Sequence, residues 1–425
     1  MICTGSVQCM PAMEESFWSY RKMTYEEVIN TIDNKNLFGV TCGRDATKVF
    51  MEALGHPDKG MKIIHIAGTN GKGSVAAFVS SILQAASFMS DKPFKVGLFT
   101  SPHLIEYTER IQIDGKQISK EDVARIGAML LNINLGIEPT MFDYWLAMAL
   151  VFFKEQGVKY VVLETGLGGN KDSTNGLMQQ PMVCAITSIG LEHTKYLGNT
   201  LEAIAMEKAG IIKQGVPVVI GQMPNVAKDV IIACCNDKGA RYSIADEVDE
   251  SIQLGLFGDY QRKNAAVALE IVKNLDIEIS DQAIIQGLKS ARWPGRMQIL
   301  SDSPFILVDG AHNPSGVKAL HDSLVAQFPN EQFSFIMGVM ADKNYAQMVE
   351  IIAPLAYEFH TVTVDTSRTL GAIELADTIT GMGVKAKASL KYQDAVGEAA
   401  KSGRKIIVFG SLYFIGEVLN AEYSA

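Results

Sequence analysis

The stretch Met61–Ser74, MKIIHIAGTNGKGS, decides how the rest of the chain is read. An apolar run rich in isoleucine, Lys62–Ala67, leads into a turn containing Gly68, Gly71 and Gly73. A lysine and a serine then open a helical pattern. Strand, glycine turn and helix start, in that order, make a cradle for phosphate. The glycines of Gly68-Thr69-Asn70-Gly71 let backbone N–H groups converge on one point. Lys72 brings positive charge there, and Ser74 a hydroxyl able to ligate Mg²⁺. The spacing departs from G-x-x-x-x-G-K-[ST]: position 66 is Ile66, where the first glycine belongs, and Gly73 separates Lys72 from Ser74. A strand-to-helix turn without a ligand is the plain alternative, but lysine and serine stand where phosphate chemistry needs them.

Working outward, 425 residues are ample for two cored domains. The chain is 48% hydrophobic and 20% charged, a globular composition. Its longest apolar run, around Trp145–Phe153, is far too short to span a bilayer. A net charge of −9 argues against nonspecific nucleic-acid binding and means that anionic substrates must be held by local cations. Cys3, Cys9, Cys42, Cys184, Cys234 and Cys235 form no C-x-x-C pair, so free thiols in a reducing, cytoplasmic setting are expected. No signal-peptide pattern is present. Met23 begins an amphipathic helix start, MTYEEVI, and residues 1–22 read as a disordered extension or as sequence ahead of the true start.

Strand and helix patterns alternate. Candidate strands are Lys62–Ala67, Lys95–Phe99, Tyr160–Glu164, Met182–Ile189 and Val216–Ile220; helical periodicity fills Val75–Ala86, Lys120–Leu131, Phe142–Gln156 and Leu201–Lys208. A second series follows Pro294-Gly295-Arg296: strand Phe305–Val308, helix Ser315–Gln327, strand Phe333–Gly338, helix Ala346–Leu355, strands His360–Val364 and Lys405–Phe409, and a terminal helix. The rhythm predicts α/β architecture with parallel sheets, a first domain over 23–296 and a smaller second one over 297–425.

Several loops fall at the carboxyl ends of these strands, where open α/β sheets bind ligands. One is Ser101-Pro102-His103-Leu104 with Glu109-Arg110-Ile111; Ser101 could ligate a metal, and Arg110 could grip a carboxylate or phosphate. Another is Glu164-Thr165-Gly166-Leu167-Gly168-Gly169-Asn170-Lys171-Asp172-Ser173-Thr174-Asn175, whose strand-end Glu164 faces the glycine turn and is a natural Mg²⁺ ligand. Its glycines miss the dinucleotide spacing. Further blocks are Ile186-Thr187-Ser188-Ile189-Gly190-Leu191-Glu192-His193, Glu207-Lys208-Ala209-Gly210-Ile211, Gln261–Asn264, Arg296, Asp309-Gly310-Ala311-His312-Asn313-Pro314, Gly338 with Asp342-Lys343, and Gly410-Ser411-Leu412-Tyr413.

These blocks, in this order, resemble the folylpolyglutamate synthase/dihydrofolate synthase branch of the Mur-ligase superfamily from about Met23 to Glu417. The resemblance implies a P-loop, Mur-ligase-type ATPase domain with a parallel-rich sheet, joined to a smaller Rossmann-like domain. It implies ATP-dependent addition of L-glutamate to a pterin or folate acid through an acyl phosphate. Residue by residue, it implies Lys72, Lys208, His193 and His312 in catalysis. Gly68 through Ser74, Asn264, Arg296 and Asp309 would contact ATP. Ser101, Arg110, Phe142 and Asp172 would meet substrate. Ser74, Ser101, Glu164, His193 and a carbamylated Lys208 would hold two Mg²⁺ ions, with K⁺ a further candidate. A plain lysine would repel those ions; read without the family, Lys208 is a helix-surface residue paired with Glu207. A monomer with small-molecule partners only, and neither nucleic acid nor membrane, is expected. The chain departs from the family pattern at Thr108, Asp143, Asn170 and Glu192, where asparagine, glutamate, arginine and aspartate are usual. Asn170 supports an alternative, a P-loop ATP-binding regulatory protein, which would be expected to lose Glu164, His193 or Lys208; another Mur-type amide ligase is a further alternative.

Overall fold

The computed structural model describes residues 22–35 and 43–423. The expected extension over residues 1–22 therefore lies outside the described residues, Lys22 excepted. Two sheets organise the chain. The first contains β1 (Lys62–Ala67), β2 (Lys95–Phe99), β3 (Ile111–Ile113), β4 (Lys116–Gln117), β5 (Val158–Glu164), β6 (Val183–Ile186), β7 (Val218–Ile220) and β8 (Tyr242–Ile244). Their order is β4-β3-β2-β5-β1-β6-β7-β8, parallel from β2 to β8, with β3 and β4 turned back antiparallel.

The central strands are buried along nearly their whole length, as β-branched runs covered by helices on both faces must be. Alternation along β1 divides the core: Ile63 faces helices Tyr25–Asp33, Lys120–Leu131 and Met141–Glu155, while Ile64 and Ile66 face helices Lys72–Phe88 and Tyr260–Lys273. Thr140 caps helix Met141–Glu155 in a capping box with Asp143. The Asp143 carboxylate also accepts from Ser173 Oγ at 2.6 Å and Thr47 Oγ1 at 3.2 Å. The departure at this position thus has a structural use, tying three segments together.

The second sheet holds β9 (Gln298–Asp302), β10 (Phe305–Val308), β11 (Phe333–Met337), β12 (Ala356–Val362), β13 (Ala386–Ser389) and β14 (Ile406–Phe409), in the order β13-β12-β11-β14-β10-β9. Only β9 is antiparallel to its neighbour. Leu307, Phe333, Phe335, Phe359 and Phe409 build one side of its core.

Some element ends differ from expectation. β6 stops at Ile186 and not at Ile189, because Thr187 and Ser188 turn aside: Thr187 Oγ1 donates to the Asn70 carbonyl at 2.6 Å, and the Ser188 carbonyl accepts from Thr69 N–H at 2.8 Å. β7 starts at Val218, after Pro217, which has no N–H to give the ladder. β12 begins at Ala356, four residues ahead of His360, and ends at Val362.

Candidate active site

Strand order explains why distant motifs meet. β1 lies between β5 and β6, and β2 lies beyond β5, so the loops after these four strands crowd one edge of the sheet. Gly71 is left-handed (φ 86°) and caps helix Lys72–Phe88; a Cβ there would come within 2.4 Å of Asn264 Oδ1. Only glycine satisfies both conditions. Lys72 folds back over the loop, donating to the Gly68 carbonyl at 3.1 Å, with its Nζ 3.9 Å from Glu164 Oε1.

Lys208 is buried, not on a helix surface, and it does not pair with Glu207. Its Nζ donates to the same Gly68 carbonyl at 2.8 Å. Burial, followed by the neighbouring Lys72 charge, brings its pKa down to about 7. A good part of such an amine is neutral at physiological pH. Glu164 is also buried; its Oε2 accepts from Ser101 N–H at 3.2 Å, and desolvation pushes its pKa up. Next to β6, His193 takes a left-handed conformation (φ 51°) ahead of a single helical turn. Partial burial lowers it to about 4, so its imidazole is neutral and able to donate a lone pair at neutral pH. Among the described residues, no three His, Cys, Asp or Glu side chains already converge as a cage. Any ion here would draw on hydroxyls and Lys208 as well.

Three expected substrate residues are placed differently from a free binding group. Arg110 is buried, donates from Nε to His103 Nδ1 at 3.0 Å and stacks near Tyr107 and Trp145, rather than presenting an open fork. Asp172 is buried and accepts from Leu167 N–H (2.7 Å), Thr174 N–H (3.0 Å) and Thr174 Oγ1 (2.5 Å), so it organises its own loop. Phe142 packs against Gly166 and tilts against Phe99 at 5.5 Å. Asn170 receives Arg44 Nη1 at 3.4 Å.

The second half closes over the glycine turn. Asn70 and Asn313 exchange amide hydrogen bonds at 3.1 and 3.2 Å, and Asn70 Nδ2 also donates to Ser315 Oγ at 2.9 Å. Asn313 simultaneously caps helix Pro314–Gln327 through Gly316 N–H, so the cap and the site share one residue. Asp309 does not reach freely into the cleft. It accepts from Tyr260 Oη (2.7 Å), Ala311 N–H (2.8 Å) and Met297 N–H (2.9 Å), pinning the joint where Met297 is left-handed. His312 Nε2 lies 2.9 Å from Glu192 Oε1, and Lys343 Nζ lies 3.4 Å from the same oxygen. Contact with His312 and Lys343 holds the Glu192 carboxyl well below the usual range against the pull of burial. A cavity of about 200 Å³ is lined by Asn70, Gly71, Ser74, Asn264, Arg296 and Asp309. A second, of about 340 Å³, is lined by Gly73, Ser101, Glu164, Trp293 and Arg296. Arg296 borders both. Sequence reading passed over Tyr260 and Trp293, whose only signals were their positions beside Gln261 and Pro294.

A glycine turn holding two lysines, beside a strand-end carboxylate and under a second α/β unit, defines a P-loop ligase of the Mur type. Residues 66–272 match the Mur ligase middle domain and residues 295–412 the Mur ligase, glutamate ligase domain. The dihydrofolate synthase/folylpolyglutamate synthase of Bacillus subtilis is 35% identical over 93% of this chain and 98% of its own. Escherichia coli FolC, solved in complex with DHPP and ADP, superposes with a TM-score of 0.84 at 28% identity, over 95% of this chain and 98% of that one. The Yersinia pestis bifunctional enzyme complexed with AMPPNP and Mn ion gives 0.83 at 30% identity, over 94% and 98%. This chain belongs to the folylpolyglutamate synthase/dihydrofolate synthase family.

Proposed function

We propose that this chain joins L-glutamate to a pterin or folate acid at the expense of ATP, releasing ADP and phosphate. The observation that carries this reading is the meeting of Lys72, Lys208 and Glu164 at the glycine turn, beneath the Asp309–Pro314 turn of the second sheet. An ionised acid and an amine do not condense spontaneously in water, so the acid must first be activated. Its carboxylate oxygen attacks the γ-phosphorus of ATP, the bond to the β,γ-bridging oxygen breaks, and ADP leaves. The glutamate amine then attacks the acyl carbon, loses a proton, and expels phosphate. The first step brings anion against anion, so the protein contributes mainly charge and position. Lys72 and Arg296 supply fixed positive charge. The Asn70–Asn313 pair holds the second half over the nucleotide and keeps water from the acyl phosphate.

Ser74, Ser101, Glu164, His193 and Lys208 are the residues that would hold two Mg²⁺ ions, which would neutralise phosphate charge when bound. Glu164, buried with one N–H donor and a distant lysine, and the neutral His193 suit that task. Lys208 suits it as a carbamate, since a buried amine with a pKa near 7 adds CO₂ readily. Arg110 and Asp172 act on substrate through the loops they fix, and Phe142 offers a ring to a flat acid.

The test is to incubate the protein with ATP, Mg²⁺ and radiolabelled glutamate, offering dihydropteroate and tetrahydrofolate in turn. Acid-dependent incorporation of label is expected with at least one of them. Nucleotide binding without incorporation on any pterin acid would favour the regulatory reading instead.

A further inference from the structure

The glycine turn departs from the common pattern at Gly73, and the structure gives that residue an unexpected neighbour. Gly73 lies inside helix Lys72–Phe88 with no left-handed backbone to explain it, so its φ and ψ would admit any residue. A Cβ at this position would instead lie 2.7 Å from Trp293 Nε1 and 2.8 Å from Cε2 and Cζ2. The indole therefore rests directly on the helix backbone between Lys72 and Ser74. Trp293 is wedged against the core that the helix itself buries. The preceding residue is tied down as well: Arg292 Nη1 donates to the Lys289 and Ala291 carbonyls at 3.0 and 2.8 Å. Three residues after Trp293 comes Arg296, which borders both cavities, while Gly73 borders the larger one and Ser74 the smaller.

We infer that Trp293 is a positioning residue for the ligation reaction. Its indole, seated on Gly73, sets the distance between the glycine turn and the joint that carries Arg296. Gly73 is glycine to admit this ring and not to admit phosphate. The inference rests on the ligase reading only for its kinetic readout; nucleotide affinity tests it independently.

Five proteins decide the matter: Gly73→Ala, Trp293→Ala, the double variant, and Trp293→Leu with and without Gly73→Ala. In each, Kd for a non-hydrolysable ATP analogue is measured by calorimetry, kcat and KM for ATP by ADP release, and folding by circular dichroism and Tm. The added methyl must push the ring aside by roughly 1 Å, a displacement on the scale that costs about 10²-fold in rate. Gly73→Ala should therefore lower kcat/KM by about that factor with Tm little changed. Trp293→Ala should also be impaired, since the joint loses its stop. The two losses should not multiply: with the ring gone, the methyl has room, and the double variant should match Trp293→Ala in Kd and kcat. Leucine shortens the side chain while keeping apolar fill, so Gly73→Ala/Trp293→Leu should outperform Gly73→Ala alone, and this arm stands if Trp293→Ala fails to fold. Gly73→Ala behaving as wild type would overturn the inference. So would losses that multiply in both backgrounds, for then Gly73 serves the phosphate and not the ring.

Discussion

Lys72 and Lys208 share one acceptor, the Gly68 carbonyl, although they are more than a hundred residues apart in sequence. Burial, with the neighbouring Lys72 charge as the second cause, brings Lys208 down to about 7. This single arrangement separates their tasks. In the proposed reaction Lys72 is the charge offered to phosphate, and Lys208 is the amine offered to CO₂. Lys72→Ala should lower kcat by at least about 10²-fold, the scale for one pre-organised charge contact, read by ADP release at saturating acid. Retention of more than roughly a tenth of the activity would remove Lys72 from the phosphate site. Lys208→Ala should be nearly inactive and partly restored by added formate or acetate, whose oxygens replace those of a carbamate. Failure of every short acid to restore turnover, with the variant folded, would count against the carbamate. Nothing about Lys208 taken alone forecast this. Its burial comes from the packing of helix Leu201–Ala209 under the glycine turn, so only family resemblance pointed to it in the sequence.

At the scale of elements, the strands that hold the site were legible because each is a continuous apolar run, β1 and β5 above all. Short strands with exposed or mixed positions, such as β8, β9 and β13, carry no such signal and exist only through their neighbours. β6 ends early for a related reason: Thr187 is a strand former by type, but its hydroxyl and the Ser188 carbonyl are claimed by the glycine turn. The loops at the strand ends were readable, whereas the ties that hold Asp172 within its own loop and Asp309 to Tyr260, Met297 and Ala311 were not, since N–H donors leave no mark on side-chain patterning. β1 also carries a titrating group inside the core. His65 is buried, with Nε2 2.8 Å from Thr174 Oγ1, and desolvation, with Lys213 as the lesser cause, drops it to about 3. Its folded pKa lies below the unfolded value near 6.5, so the unfolded chain takes the proton first. Stability contributed by neutral His65 is whole above about pH 6.5 and is lost progressively as pH falls toward 3, by an amount on the order of 5 kcal/mol at the limit. His65→Gln should flatten the difference in urea midpoint between pH 7 and pH 4 relative to wild type. Parallel curves for the two proteins would show that His65 is not the group responsible.

For the whole molecule, the two sheets are joined by more than the peptide at Trp293–Met297. Leu104 and Ile105, from the loop after β2, pack into the second unit's core, and the Leu104 carbonyl approaches so close that a Cβ at Gly416 would lie 2.0 Å away. Phe257 and Tyr260 pack on the opposite side of the joint with Met297 and the second sheet. Near the catalytic edge the tie is electrostatic: Glu192 of the first unit faces His312 and Lys343 of the second. Glu192→Ala leaves His312 and Lys343 without their carboxylate partner, so cleavage by a protease within 291–298 should accelerate several-fold at low salt, while the sheet cores keep their circular-dichroism signal. Unchanged cleavage would mean that the apolar ties alone hold the units together. All these contacts bring a charged cradle, a cationic joint and a second unit to one place, as acyl-phosphate chemistry requires. The most direct test labels the carboxylate of the accepted pterin or folate acid with ¹⁸O and follows the label through a turnover with ATP and glutamate. Attack of that carboxylate on the γ-phosphorus predicts that each phosphate released carries one ¹⁸O atom and that the new amide retains the other. Amide formation with unlabelled phosphate would contradict the account.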